Sequence, residues 1–427
     1  MHFELLIPLA QMISRFNFNI SLLQSLINIF KLIFFKDKDY SIELKKKLVK
    51  YYPKANFYFF DHGRTALFEA LSQIKNKTNK RKVIVNSMTL FEVINIIIYA
   101  GFEPVFLDNN KNSFNTDLDL SSIDQNKNEL AAIIITHLNG VNESIVPLKN
   151  YLDKHNKDHE YIYLIEDCAV SLGAKINKIF TGSLGDFSFL SFNIMKNITS
   201  YTGGLLIDNV KIQSQINNNR YIQQNKFNIF KKIIFVIIIQ TLNSKLIFNL
   251  FFKFVRFSHK KSFNFFLKKY RTDFVVTLEE KIPNKFLFFL HPFQMKIILE
   301  QFDDFELKQS QRIENSKYYY ENLKHLRSLV FPQENFDERN IFLDFPLLCD
   351  SKTTKDKLFT YLLDKNIDVK NYYYKNCCEE KAYYEFRNNC NNSKVISENI
   401  IMLPVHNKIN KELKDKTIRE IKKFLIE

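Results

Sequence analysis

Three short stretches of this chain hold residue types that do chemistry when a fold brings them together. The first is DHGRTALFEAL, residues 61–71, where an irregular Gly63-Arg64-Thr65 turn opens a helix. Backbone N–H groups and the positive dipole end at a helix start favour an anion, so this turn suits a phosphate, with the Thr65 hydroxyl as a further donor. Taken alone, an ordinary glycine-containing cap is the plainer reading. The second stretch is LIEDCAVSLGA, residues 164–174, in which an apolar strand ends in two carboxylates. Burying an unpaired carboxylate is costly, so Asp167 should face a site or a partner. It can hold the protonated nitrogen of a heteroaromatic ring and keep that ring electron-poor; a loop or capping acid is the alternative.

The third stretch is SFNIMKNITSYTGG, residues 191–204. Lys196 lies in an aromatic, apolar setting, where desolvation lowers an amine's pKa and leaves it free to attack a carbonyl. Ser191 precedes it by five residues and can donate to a phosphate, while Gly203 and Gly204 let the backbone approach a ligand. A lysine snorkelling to solvent is the ordinary alternative. Taken together, the three stretches offer a phosphate turn, a ring-nitrogen carboxylate and a carbonyl-reactive amine. Those are the three anchor points of pyridoxal 5′-phosphate (PLP).

The elements around these residues alternate. Strands are expected at 82–87, 104–108, 130–138 and 161–167, and helices at 92–101 and 146–156. Fully apolar strands alternating with amphipathic helices predict a mostly parallel sheet covered on both faces. Ligands collect at the carboxyl ends of such strands, where His137 and Asp167 fall. His137, which closes the strand in THLNG, therefore joins the catalytic candidates, although a histidine there often serves only the fold. The expected domains are a helical extension over 1–50, a large domain over 51–280 and a smaller α+β domain over 281–427. A long amphipathic helix over 290–323 and a closing helix from 411 belong to the last.

Composition narrows the functional classes. The chain has 427 residues and a formal charge of +15, which admits nucleic acid, an anionic membrane surface or a phosphorylated substrate. Without a basic run, zinc-finger spacing or RNA-binding aromatic motif, nucleic acid is not expected. Five cysteines, two of them adjacent, argue against a disulfide framework and for a reducing compartment; no metal site is expected. No signal peptide is expected at the N-terminus. The insert 226–270 carries two lysine-flanked apolar runs, 233–239 and 246–252, each too short to span a bilayer. It reads either as a basic hairpin on an anionic membrane or as a segment packed on protein.

The segments HGRTALFEAL, IITHLNG, IEDCAVSLGA, GSLGDFSFLSFNIMKNITSYTGGLL and MLPVH resemble the DegT/DnrJ/EryC1/StrS sugar aminotransferases. The resemblance covers about 55–210 and returns over 285–427. It implies the fold-type-I PLP architecture, with Lys196 as the lysine that carries the cofactor, Asp167 as its pyridinium partner, and Gly63, Arg64, Thr65 and Ser191 as the phosphate cradle. Leu90, followed by Phe91, stands where the family has an aromatic that stacks on the ring. Val170 stands where a glutamine touches the ring oxygen, and Tyr201-Thr202 replaces a glycine-acid pair. The implied activity is transfer of an amino group, with glutamate as donor, to a nucleotide-linked keto-sugar in surface-polysaccharide or lipopolysaccharide synthesis. It further implies a cytoplasmic homodimer whose sites borrow residues from the neighbour, here from near 217–225. If the insert 226–270 meets lipid rather than protein, the expected place is the inner face of the cytoplasmic membrane. The rival expectations are a PLP-dependent sugar dehydratase and a catalytically degenerate, membrane-associated binding partner.

Overall fold

Strands that are apolar on both faces need a layer of helices on each side, and the computed structural model has that arrangement. It describes residues 14–426 except 37, 119, 141–144, 212–215, 217–218, 245–246, 249–274, 333–339 and 372–373. A nine-stranded sheet runs Glu103–Leu107, Lys82–Asn86, Leu130–Thr136, Tyr163–Asp167, Phe187–Ser191, Gly204–Asp208, Asn56–Phe60, Phe288–Phe289, Ile222–Gln223. The first five strands are mutually parallel. The next three turn antiparallel, and the edge pair is parallel again. The fold is α/β of the mostly parallel kind expected.

Every position of Leu130–Thr136 is buried. Alternate residues of a strand point to opposite faces, so Ala132 and Ile134 join one core while Ile133 and Ile135 join the other. The first core is closed by Leu67, Leu71 and Ile74 of helix Gly63–Lys75 and by Ile94 and Ile97 of helix Phe91–Tyr99. The second is closed by Leu148 and Leu152 of helix Val146–Asp158. The smaller sheet is antiparallel, in the order Leu329–Val330, Asp344–Cys349, Ile400–Pro404, Lys370–Asn371.

The expected domain limits need three corrections. Strand Phe288–Phe289 pairs with Phe60 in the large sheet, so the large domain runs past residue 281. Helix Pro292–Leu323 serves both domains, since Met295, Ile298 and Phe305 pack in the large core and Tyr319 and Leu323 in the small one. The extension over 1–50 is also no separate unit where it is described. Leu44 and Leu48 of helix Ser41–Val49 lie in the large core, and helix Leu22–Ile33 packs with the insert helix Lys226–Leu242. The first arm of the expected hairpin is that insert helix. The second run, 246–252, lies mostly outside the described residues. Among the described residues no helix is long and apolar enough to cross a membrane.

Candidate active site

The parallel strands deliver Asp167 and Ser191 to one sheet edge, and the helix starting at Gly63 faces them across the antiparallel pair. Between them and the small domain lies a cavity of about 360 Å³. Gly63, Arg64, Leu90, Asp167, Ser191 and Lys196 all line it, so the structure gathers six of the nine site residues expected from sequence. Phe91 joins Leu90 on the wall, which gives this chain an aromatic one position later than the family pattern.

Lys196 is half-buried and lines the cavity. Burial pulls its pKa down from 10.5 to about 8; Asp167 resists this, and Lys370 and Arg64 reinforce it. An amine with that pKa is partly unprotonated near neutral pH, as covalent work requires. Burial drives the Asp167 carboxyl above its usual range, while the Ala169 N–H, Lys196 and His137 hold it down. Its Oδ1 accepts from the Ala169 N–H at 3.0 Å. A buried carboxylate pulled in both directions gains most from a cationic partner placed against it.

The phosphate end differs in detail from expectation. Helix Gly63–Lys75 starts at His62 with no side-chain cap, so its N-terminus opens toward the cavity. Thr65, however, is fully buried, and its hydroxyl donates to the Phe286 carbonyl at 2.7 Å, so it is no phosphate donor here. The Arg64 guanidinium is held by Glu92 and lies 4.9 Å from the centre of the Phe286 ring. The anion-binding donors that remain are the turn's backbone and Ser191. The glycine pair also works differently from the sequence reading. A Cβ on Gly204 would stand 2.1 Å from the carbonyl carbon of His62 and 2.4 Å from the Gly63 nitrogen. The close approach is therefore to the Gly63 turn itself, against which Gly204 packs without room for a side chain.

His137 does not line the cavity. It is fully buried, with Nε2 3.0 Å from Glu166 Oε2. That carboxylate also accepts the N–H groups of Gly182, Leu184 and Gly185 at 2.8, 2.8 and 2.6 Å. The His137 backbone N–H donates to the Asp167 carbonyl at 3.2 Å, so His137 braces the strand end that carries Asp167. Burial by itself would raise the Glu166 pKa, but these bonds overcome it and the carboxyl falls below its ordinary 4.5. A depressed carboxyl contributes stability above its unfolded pKa and loses it as pH falls through the folded value. Glu166→Gln should accordingly cost about 1–3 kcal/mol at pH 7, with the gap to wild type closing below pH 4, as read by urea unfolding at the two pH values. Val170 is buried beside the cavity, in a small pocket with Asn139, Asp344 and Lys370.

Residues that sequence reasoning missed also line the cavity: Phe16, Asn193, Leu343 and Lys370. Lys370 Nζ donates to Asp344 Oδ2 at 2.8 Å, and Arg312 sits behind that carboxylate, its pKa lowered by burial to about 10. A lysine within the short strand segment NIDVKN was the available signal. Of the tyrosine run 371–380, Tyr374 reaches the cavity; Tyr372 and Tyr373 lie outside the described residues. Tyr201 stands at φ 72°, which explains the glycine usual in the family there. Its ring is buried under helix Leu22–Ile33, and its hydroxyl accepts from Asn28 at 2.9 Å. The segment near 217–225, where a contribution to a neighbouring subunit was expected, is partly outside the described residues. Its Tyr221 is turned inward, with the hydroxyl donating to Glu69 at 2.6 Å.

The donor set fits PLP, with an amine, a buried carboxylate and an anion-binding helix start around one cavity. The sequence model of the DegT/DnrJ/EryC1/StrS aminotransferase family matches residues 23–222 and 287–422. GDP-perosamine synthase of Vibrio cholerae is 32% identical over 151 residues, which are 35% of this chain and 39% of that protein. The match thus spans about two fifths of that relative's length. The dTDP-4-amino-4,6-dideoxy-D-glucose transaminase of Shigella dysenteriae is 22% identical over 89% of each chain. Among solved structures, Helicobacter pylori PseC, an aminotransferase involved in the biosynthesis of pseudoaminic acid, superposes with a TM-score of 0.69. It is 16% identical over 94% of this chain and 96% of that one. At that identity the likeness shows the fold.

Proposed function

The chain belongs to the DegT/DnrJ/EryC1/StrS aminotransferase family, and from that premise we propose that it moves an amino group from glutamate to a nucleotide-linked keto-sugar. The observation that carries the reading is the convergence of Lys196, Asp167, Ser191 and the Gly63 turn on one cavity. When bound, PLP supplies the electron sink that lets an amine and a carbonyl exchange partners. Lys196 would hold the cofactor through its amine and, when free, could take and return a proton at the reacting carbon. Asp167 would keep the ring nitrogen protonated. Ser191 and the Gly63–Arg64 backbone would hold the phosphate, with Leu90 and Phe91 on the same cavity wall.

The names of two relatives contain 4-amino-4,6-dideoxy sugars, which supports a ketone at carbon 4 of a 6-deoxyhexose. The proposal extends to a cytoplasmic homodimer serving polysaccharide or lipopolysaccharide synthesis. Helices Leu22–Ile33 and Lys226–Leu242 leave Leu23, Phe30, Phe235 and Ile238 exposed, which supports contact of this layer with the inner membrane face. The decisive assay supplies glutamate and a panel of nucleotide-linked 4-keto-6-deoxysugars to the PLP-loaded protein. We expect 2-oxoglutarate and an amino sugar in equal amounts. A deoxygenated keto product without amino transfer would point instead to a dehydratase.

A further inference from the structure

The segment Ser14–Ile20 lies upstream of the family match, has no regular secondary structure, and yet buries five of its seven residues. At one end it is fastened to the small domain. The Arg15 N–H donates to Asp368 Oδ2 at 2.9 Å, Arg15 Nη1 donates to the Val369 carbonyl at 2.7 Å, and His406 Nε2 meets the Ser14 carbonyl at 3.0 Å. At the other end Asn19 Nδ2 donates to the Lys196 and Asn197 carbonyls at 2.6 and 2.7 Å, and Gln240 Nε2 of the insert helix donates to the Ile20 carbonyl at 2.6 Å. Between these ends Phe16 lines the cavity, with the Arg15 guanidinium 4.9 Å from its ring centre.

Residues 368 and 369 directly precede Lys370, another cavity residue. The segment therefore ties the peptide that carries Lys196 in the large domain to the peptide that carries Lys370 in the small one. We propose that residues 14–20 are a built-in part of the active site. Asn19 is a positioning residue that fixes the Lys196 peptide, and so the direction of its side chain, while Phe16 is a wall residue that bounds the space for the sugar acceptor. Holding both carbonyls with one amide leaves the peptides at 196 and 197 little freedom to rotate. The catalytic consequence rests on the aminotransferase reading; the structural link does not.

The test measures hydrogen–deuterium exchange in the cofactor-free full chain, comparing wild type with Asn19→Ala and Asn19→Asp. The aspartate keeps the shape but has no amide protons to donate. Both variants should exchange at least fivefold faster over 192–200, with the strand Leu130–Thr136 unchanged, since local opening follows the loss of local hydrogen bonds. Unchanged exchange over 192–200 in both would overturn the Asn19 assignment, as would acceleration spread evenly over the sheet. In the loaded enzyme, Asn19→Ala should lower kcat several-fold with little change in the sugar KM, whereas Phe16→Ala should raise the sugar KM at least fivefold. An unmoved sugar KM in Phe16→Ala removes Phe16 from the wall. If wild type transfers no amino group, the functional reading fails and the exchange result still decides the positioning role.

Discussion

Lys196→Ala is expected to lower amino transfer by roughly four orders of magnitude, the upper end of what one positioned acid–base group contributes. Loss of charge alone does not explain so large an effect, and Lys196→Arg separates the two. Arginine keeps the positive charge but cannot lose its proton in a protein, so it should be as inactive as alanine. The same lysine sets a pH dependence. Because burial brings its pKa to about 8, the rate at which cofactor-free wild type captures PLP should climb from pH 6.5 to about 8 and level off above it. Stopped-flow absorbance across that range checks the prediction, and a profile still rising through pH 10 would mean that the amine is not desolvated in solution.

Asp167→Asn should cost about two to three orders of magnitude in turnover while leaving the fold intact. The asparagine side-chain oxygen can still accept the Ala169 N–H that Asp167 Oδ1 accepts at 3.0 Å, so the local turn survives. What would disappear is the negative charge that the proposed function sets against the ring nitrogen, and breaking a buried charge pair by removing one partner costs about 3–5 kcal/mol. Steady-state turnover measured beside thermal unfolding distinguishes the cases. A variant that melts like wild type and turns over within tenfold of it would show that Asp167 does not face the cofactor.

The part of this fold legible in the sequence is the part governed by local periodicity. The apolar strand at 130–138 appears at Leu130–Thr136 and the helix at 92–101 at Phe91–Tyr99, because a buried parallel strand and an amphipathic helix write their burial into consecutive residues. Asp167 was legible as a carboxylate at a strand end, where a parallel sheet places ligands, and Lys196 and Ser191 as an amine and a hydroxyl in an apolar, glycine-flanked stretch; the fold lines one cavity with all three. Thr65 misled because its hydroxyl is spent on the Phe286 carbonyl, a contact 221 residues away in the chain. His137 misled similarly, since its partner Glu166 sits on the neighbouring strand and only the sheet register brings them together. Phe16 and Asn19 gave no signal, for an irregular strap has no period and its function lies in contacts more than 170 residues distant.

Whether Lys196 covalently holds PLP is reached directly by one measurement. Purified wild type and Lys196→Ala are each mixed with PLP, reduced with borohydride, digested and mapped by mass spectrometry. Visible spectra are recorded before reduction, with and without glutamate. The expected result is a visible band in wild type that glutamate bleaches, and a reduced cofactor adduct on the peptide containing Lys196 and on no other at comparable yield. Wild type that stays colourless with added PLP, or an adduct shared among surface lysines and undiminished in Lys196→Ala, would contradict it.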